Sequence, residues 1–178
     1  MSTLPRRPDE VDRIAAAWQR EQPDLDLSAL QVLSRVTRLA RHLDRARRSA
    51  FAEHGLDAGE FDVLAALRRT GPPYEESPGR LGAVTMVTSG TMTARLDKLE
   101  DRGLVRRRTD PHDRRVVIVA LTDAGRDLVG DALTSLLGRE QMLLAPLQES
   151  QQQQLADLLR PLLGPLDAPD ATTAGSTG

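Results

Sequence analysis

Residues 88–108, TSGTMTARLDKLEDRGLVRRR, contain the change of hydrophobic period that decides the fold. Thr88 is a good helix N-cap, and Met92, Leu96 and Leu99 follow at i, i+4 and i+7, the spacing of one buried helical stripe. Gly103 stops that helix. Leu104-Val105 and then Val116 to Leu121 are apolar and largely β-branched. The turn-forming Asp110-Pro111-His112-Asp113 separates them, so the pair reads as a β-hairpin with a charged tip. With the stripe facing inward, Thr91, Arg95, Lys98 and Arg102 are expected on the outer face. Ser89, Gly90 and Thr91 keep the first turn slim enough to enter a major groove, where hydroxyls and Arg reach base edges and phosphates. Thr93 shares that surface. Arg106, Arg107, Arg108 and then Asp113, Arg114 and Arg115 place cations on both sides of the hairpin tip, which would reach the adjacent minor groove or the backbone. Asp113 is expected to hold Arg115 extended by a charge-assisted bond. A solvated surface helix with ordinary i, i+4 charges is the plain alternative.

Upstream, Asp57 with Glu60 three residues later is a capping-box-like start for a helix to about Arg69, ended by Gly71-Pro72-Pro73. Ser77-Pro78 opens a brief helix to about Val84. The order helix, helix, helix, two-stranded ribbon is that of a winged helix-turn-helix. The predicted class is therefore mainly α with a small β-hairpin wing, flanked by long N- and C-terminal dimerisation helices. The first of these has Val32, Leu33, Val36, Leu39, Ala40 and Leu43 on one face and an Arg run on the other. The second begins near Thr122, and a last helix is expected after the Gln151–Gln154 tract. Their Leu-rich faces exceed what so small a winged domain can cover, which points to a homodimer. The expected division is an N-terminal extension with a short helix (1–27), dimerisation helices (28–56 and 122–163), the winged domain (57–121) and a disordered tail (164–178).

At 178 residues the chain is long enough for one domain with arms and too short for large catalytic folds such as the eight-stranded barrel. The net charge of −2 argues for no particular partner, but it hides a segregation. Residues 35–48 hold six Arg against one acid, 95–115 hold eight cations against five acids, and the stretch beyond 115 has three Arg against eight acids. The Arg run at 35–48 reads as the solvated face of its helix. With no cysteine there can be no disulfide, thiol nucleophile or thiolate metal site. Four aromatic residues, Trp18, Phe51, Phe61 and Tyr74, are too few for a stacking platform for single strands. The three His are scattered, Glu75-Glu76 looks like a solvated loop pair, and Gly79 and Gly82 lack a phosphate-loop context. No enzyme, metal, cofactor or membrane segment is expected, and a cytoplasmic location is.

The run at 88–108, DPHDRR (110–115) and VVIVALTDAGR (116–126) together resemble the MarR family of bacterial transcriptional regulators, including its Asp-x-Arg wing signature at Asp113 and Arg115 and its Leu-Thr-x-x-Gly at 121–125. The resemblance covers about residues 28–163. It implies a homodimer with intertwined first and last helices that binds a palindromic double-stranded operator, usually as a repressor relieved by a small ligand. Ser89, Gly90, Thr91, Thr93, Arg95, Lys98, Asp113, Arg114 and Arg115 would form the DNA-binding surface. A narrower likeness, carried by WQREQPDLDL (18–27), GEFDVLAALRRTGPPY (59–74) and the extra N-terminal helix, is to the family's urate-responsive branch. It implies a ligand pocket from Trp18, Asp62 and Arg95, with Ala94 where many of those relatives carry Asn. A planar anion there could stack on Trp18 and take a bidentate contact from Arg95. Before that likeness is counted, Trp18 on an amphipathic helix reads first as a packing residue, and Asp62 can be a first-turn acid favoured by the helix dipole. The rival function is a protein-interaction module that binds no specific DNA.

Overall fold

The computed structural model describes residues 7–110, 113 and 115–167. In chain order its elements are α1 (Glu10–Glu21), α2 (Ser28–Ala52), α3 (Ala58–Arg69), β1 (Glu75–Glu76), α4 (Pro78–Val84) and α5 (Ser89–Asp101). Then follow β2 (Val105–Thr109), β3 (Val117–Leu121), α6 (Asp123–Leu144) and α7 (Glu149–Asp167). Helix starts follow local chemistry. Asp57 and Glu60 exchange side-chain to backbone bonds of 2.8 and 2.9 Å at the start of α3, and Asp9 and Asp12 do the same for α1. Ser77 and Thr88 cap α4 and α5. Each such cap is worth about 1 kcal/mol.

The chain divides into two compact units, residues 1–139 and 140–178. The first carries the winged helix-turn-helix. Met92, Leu96 and Leu99 of α5 are fully buried, as their spacing requires, among Phe51, Leu64, Leu67, Leu81 and Val119. The few aromatics still matter to the core, because Phe51 and Phe61 stack with ring centres 4.0 Å apart. The hairpin has a third strand. β1 pairs antiparallel with β3, giving the order β1-β3-β2, so Glu75-Glu76 is an edge strand and not a loop. Its carboxylates are not solvated either. Glu75 meets Arg108 at 2.5 Å, and Glu76 meets Arg80 at 3.1 Å. Pairing with β3 fixes their direction in a way that periodicity over two residues could not reveal.

The junction of β3 and α6 is tight. Thr122 Oγ1 accepts from the Gly125 N–H at 3.0 Å and lies 2.8 Å from the Gly103 carbonyl and 3.0 Å from that of Leu104. A Cβ at Gly125 would overlap the Leu104 carbonyl oxygen. Further along α6, Arg68 of α3 donates to the Arg126 carbonyl at 2.6 Å and crosses Gly130, where a Cβ would overlap its guanidinium. At the amino end, Arg35 of α2 grips Asp9 at 2.8 and 3.1 Å and Asp12 at 2.7 Å, tying α1 to α2.

In the second unit, α7 differs from expectation at both ends. It begins at Glu149, because the Gln148 N–H is met by the Gln151 side chain at 2.9 Å and glutamine propagates a helix well. It also continues through Pro161 and Pro165 to Asp167, past the boundary expected at 163, while 168–178 lie outside the described residues. Leu158, Leu162, Leu163 and Leu166 are exposed along it. No helix of the described residues is long and apolar enough to cross a membrane.

Replacing Gly125 by Ala should lower stability by about 2–3 kcal/mol, since the obstacle is backbone and cannot swing aside. A thermal melt within a degree of the parent would refute the close approach. The clasp of α1 has its own signature. Arg35, followed by the Asp12 N–H, holds the Asp9 carboxyl below its ordinary value of 3.8. A depressed carboxylate contributes stability above that ordinary value and loses it as pH falls through the lowered folded one. In Arg35→Ala the Asp9 midpoint, followed by carboxyl-carbon NMR, should return upward; an unmoved midpoint counts against the clasp.

Candidate nucleic-acid interface

Helix α5 presents Ser89, Gly90, Thr91, Thr93, Ala94, Asp97 and Lys98 to solvent. Its capping hydroxyl fixes the first turn, Thr88 Oγ1 accepting from the Thr91 N–H at 3.4 Å and lying 3.0 Å from Thr91 Oγ1. The Thr93 hydroxyl donates back to the Ser89 carbonyl at 3.0 Å. These hydroxyls keep acceptor capacity directed outward. Lys98 has no ion-pair partner among the described residues. Ser89, Gly90, Thr91, Thr93 and Lys98 are thus exposed on α5.

Two cations assigned to that surface turn away from it. Arg102 reaches α3 and meets the buried Glu60 carboxylate at 3.3 Å. Arg95 is half-buried and lies against Gly59 on the first turn of α3, where a Cβ would overlap its guanidinium carbon. Leu96 and Leu99 set the helix rotation, and at i−1 and i+3 from them these two positions fall on the flank facing α3, not on the crest. Gly59 and Asp62 are three apart on α3 and share a face, so Arg95 lies over the turn that carries Asp62. No hydrogen bond or ion pair joins Arg95 to Asp62 among the described residues. Trp18 is about half exposed on α1, an element packed on α2, and neither kind of bond links it to the other two. Of the three residues expected to hold a ligand, the fold thus brings the Arg and the Asp-bearing turn together.

The wing is also less free than its Arg count suggests. Arg107 is paired with Asp97 at 2.6 Å and Glu100 at 3.1 Å, both on α5. Arg108 reaches across β3 to Glu75, whose carboxylate raises the already high pKa of the guanidinium. Asp113 does not hold the Arg115 guanidinium. Its carboxylate accepts the Arg115 backbone N–H at 2.9 Å, closing the turn as a short Asx motif while the side chain stays exposed. Carboxylate and N–H two residues apart meet more readily than a carboxylate and a long flexible head group. Arg106 and Arg115 are exposed and have no ion pair among the described residues; Arg114 lies outside them. The partners that sequence reasoning missed, Glu60, Glu75, Asp97 and Glu100, left one legible sign, the i, i+3 acids on the helix directly before the Arg run. Among the described residues no group of three or more His, Asp or Glu could hold a metal ion.

Residues 54–116 match the sequence model of the MarR family. The chain is 38% identical over 150 residues to the HTH-type transcriptional regulator PecS of Dickeya dadantii (strain 3937), covering 84% of this chain and 90% of that protein. A MarR mutant from E. coli complexed with operator DNA superposes with a TM-score of 0.61 at 25% identity, over 82% of this chain and 97% of that one. Bordetella bronchiseptica BpsR, whose structure concerns regulation of its DNA binding by 6-hydroxynicotinic acid, gives 0.56 at 28% identity over 72% and 98%.

Because Gly59 provides the room in which Arg95 lies, Gly59→Ala should push that guanidinium off α3. The Arg95 Nε–H is then expected to exchange with water faster in NMR. Unchanged exchange would mean the side chain does not rest there.

Proposed function

The chain belongs to the MarR family of transcriptional regulators, and from that premise we propose that it is a homodimeric repressor of a palindromic operator, released by a small anionic aromatic ligand. Members of this family are DNA-binding regulators and not enzymes. The observation that carries the proposal is the exposed polar crest of α5 at Ser89, Gly90, Thr91, Thr93 and Lys98, beside a hairpin whose Arg106 and Arg115 have no ion pair among the described residues. A slim helix turn and a pair of free cations on an adjacent ribbon match a major groove and the neighbouring phosphates. Ser89, Gly90, Thr91, Thr93 and Lys98 enter the groove, while Arg114 and Arg115 act from the wing. A second copy covers the exposed Val32, Leu33, Val36 and Leu39 of α2 and the exposed leucines of α7.

The ligand reading rests on Arg95 lying over the Asp62 turn, with Trp18 taken as the aromatic wall from the sequence likeness. Urate, or a related planar anion such as a hydroxylated nicotinate, would take the guanidinium and leave its charge near Asp62. Repulsion between the two anions in a partly dry cleft then favours a shifted α5. Such a ligand acts only through its different affinity for the two arrangements.

Gel-shift titration with the duplex upstream of its own coding sequence tests both parts. Log affinity should fall with log salt by about one unit per phosphate neutralised, and Arg114→Ala with Arg115→Ala should flatten that slope. A weak, salt-insensitive interaction would instead favour a protein-binding module. Urate or 6-hydroxynicotinate should weaken the complex, and Trp18→Ala should blunt the response; operator affinity indifferent to both compounds would remove this ligand class.

A further inference from the structure

Among the described residues of the wing, Arg107 is the arginine with the most internal bonds. Arg107 Nη1 donates to Asp97 Oδ1 at 2.6 Å and Glu100 Oε2 at 3.1 Å, and Nη2 donates to the Thr93 carbonyl at 3.3 Å. Glu100 Oε1 in turn accepts the Arg107 backbone N–H at 2.8 Å. Thr93, Asp97 and Glu100 lie at i, i+4 and i+7, so one side chain from β2 spans two turns of α5. Its side chain is less than a third exposed. The next residue of β2, Arg108, is bonded across the sheet to Glu75 on the other edge strand, which fixes β2 relative to β1.

We propose that Arg107 is a positioning residue for DNA binding, locking the recognition helix and the wing into one rigid reading head. This inference rests on the DNA-binding reading above. The helix enters one groove and the hairpin must meet the phosphates or groove beside it, so affinity depends on the angle between them being set before contact. An angle left free would have to be ordered on binding, and that ordering opposes association. A planar, forked guanidinium suits this role because it bonds two carboxylates and a carbonyl at once, which a point-charge ammonium cannot reproduce. The acids serve the same end. Asp97 and Glu100 stand on the helix that approaches a polyanion, where negative charge works against binding, and they are retained as the fixed half of the clamp.

Simple electrostatics and the clamp forecast opposite signs for one variant. Asp97→Asn with Glu100→Gln removes two negative charges from the DNA-facing helix, so charge alone predicts tighter binding. The clamp predicts affinity weaker by about tenfold, equivalent to about 1.4 kcal/mol. Arg107→Lys keeps the charge and should weaken binding similarly, with the salt slope unchanged to within about half a unit, because no phosphate contact is lost. A second readout needs no DNA. The chain has no native cysteine, so nitroxide labels at Lys98→Cys and Thr109→Cys report the distance between helix and wing by pulsed electron spin resonance. That distribution should be narrow in the parent and broaden in both clamp variants. Tighter or equal binding by the Asn/Gln variant, or a distribution of unchanged width, overturns the proposal. If the parent itself shows no salt-dependent DNA binding while the labels behave as stated, the clamp survives as structure and the DNA-binding reading is what fails.

Discussion

Where α6 begins, its backbone rests on the carbonyl of Leu104, and most of the winged unit is built around that contact. Only a residue without a Cβ fits at Gly125, and the Thr122 hydroxyl there caps the new helix while facing the carbonyls at Gly103 and Leu104. A single point thus joins the end of the recognition helix, the base of β2, the end of β3 and the start of a long helix. Leu104, Val105 and Leu121 are buried around it. The Leu-Thr-x-x-Gly stretch is therefore an anchor: it sets where the wing leaves the core, and so where its cations end up.

A second constraint is electrostatic and acts outward from the first. Each basic side chain close to an acid of the same unit is drawn to it, and Arg95, Arg102, Arg107 and Arg108 all leave the crest or the tip in this way or to fill a gap. Buried Glu60 must have a cation beside it, because an isolated carboxylate at that depth is costly. Among the described residues of the helix and wing, Lys98, Arg106 and Arg115 are the exposed cations without an ion pair, while Arg95, which has none either, is half-buried against Gly59. Their number is smaller than the charge count of the segment, and the surface they form is sharper for it.

The elements are largely legible in the sequence because each begins with a residue whose side chain performs a specific local job. Asp57 with Glu60, Ser77 before Pro78, and Thr88 before a four-residue apolar spacing all stand where helices start. The inward face of α5 follows from period alone. The two-residue strand β1 is too short to have a period, and its pairing with β3 depends on residues more than forty positions away. The partners of Arg107 and Arg108 are settled by strand register and helix rotation together, so a list of charges cannot assign them. Charge alone makes Asp113 a side-chain partner for Arg115, whereas a two-residue separation favours the backbone N–H. At α7 the difference runs the other way, since a proline ordinarily signals an end, and this helix passes through two of them.

Those prolines shape what can lie against α7. Pro161 and Pro165 have no N–H to offer, so the carbonyls of Asp157 and Pro161, one turn behind them, lack their usual intrahelical donors. Both carbonyls fall on one strip of the helix, roughly a quarter-turn or more from the strip of Leu158, Leu162 and Leu166. Acceptors left without a donor hold water, and a dry neighbour cannot be laid over them without cost. The helix is thereby given a wet side and a dry side by main-chain chemistry as well as by its side chains. Whatever covers α7 has its rotational setting chosen for it, and a neighbour rotated onto the proline strip would have to bring donors of its own.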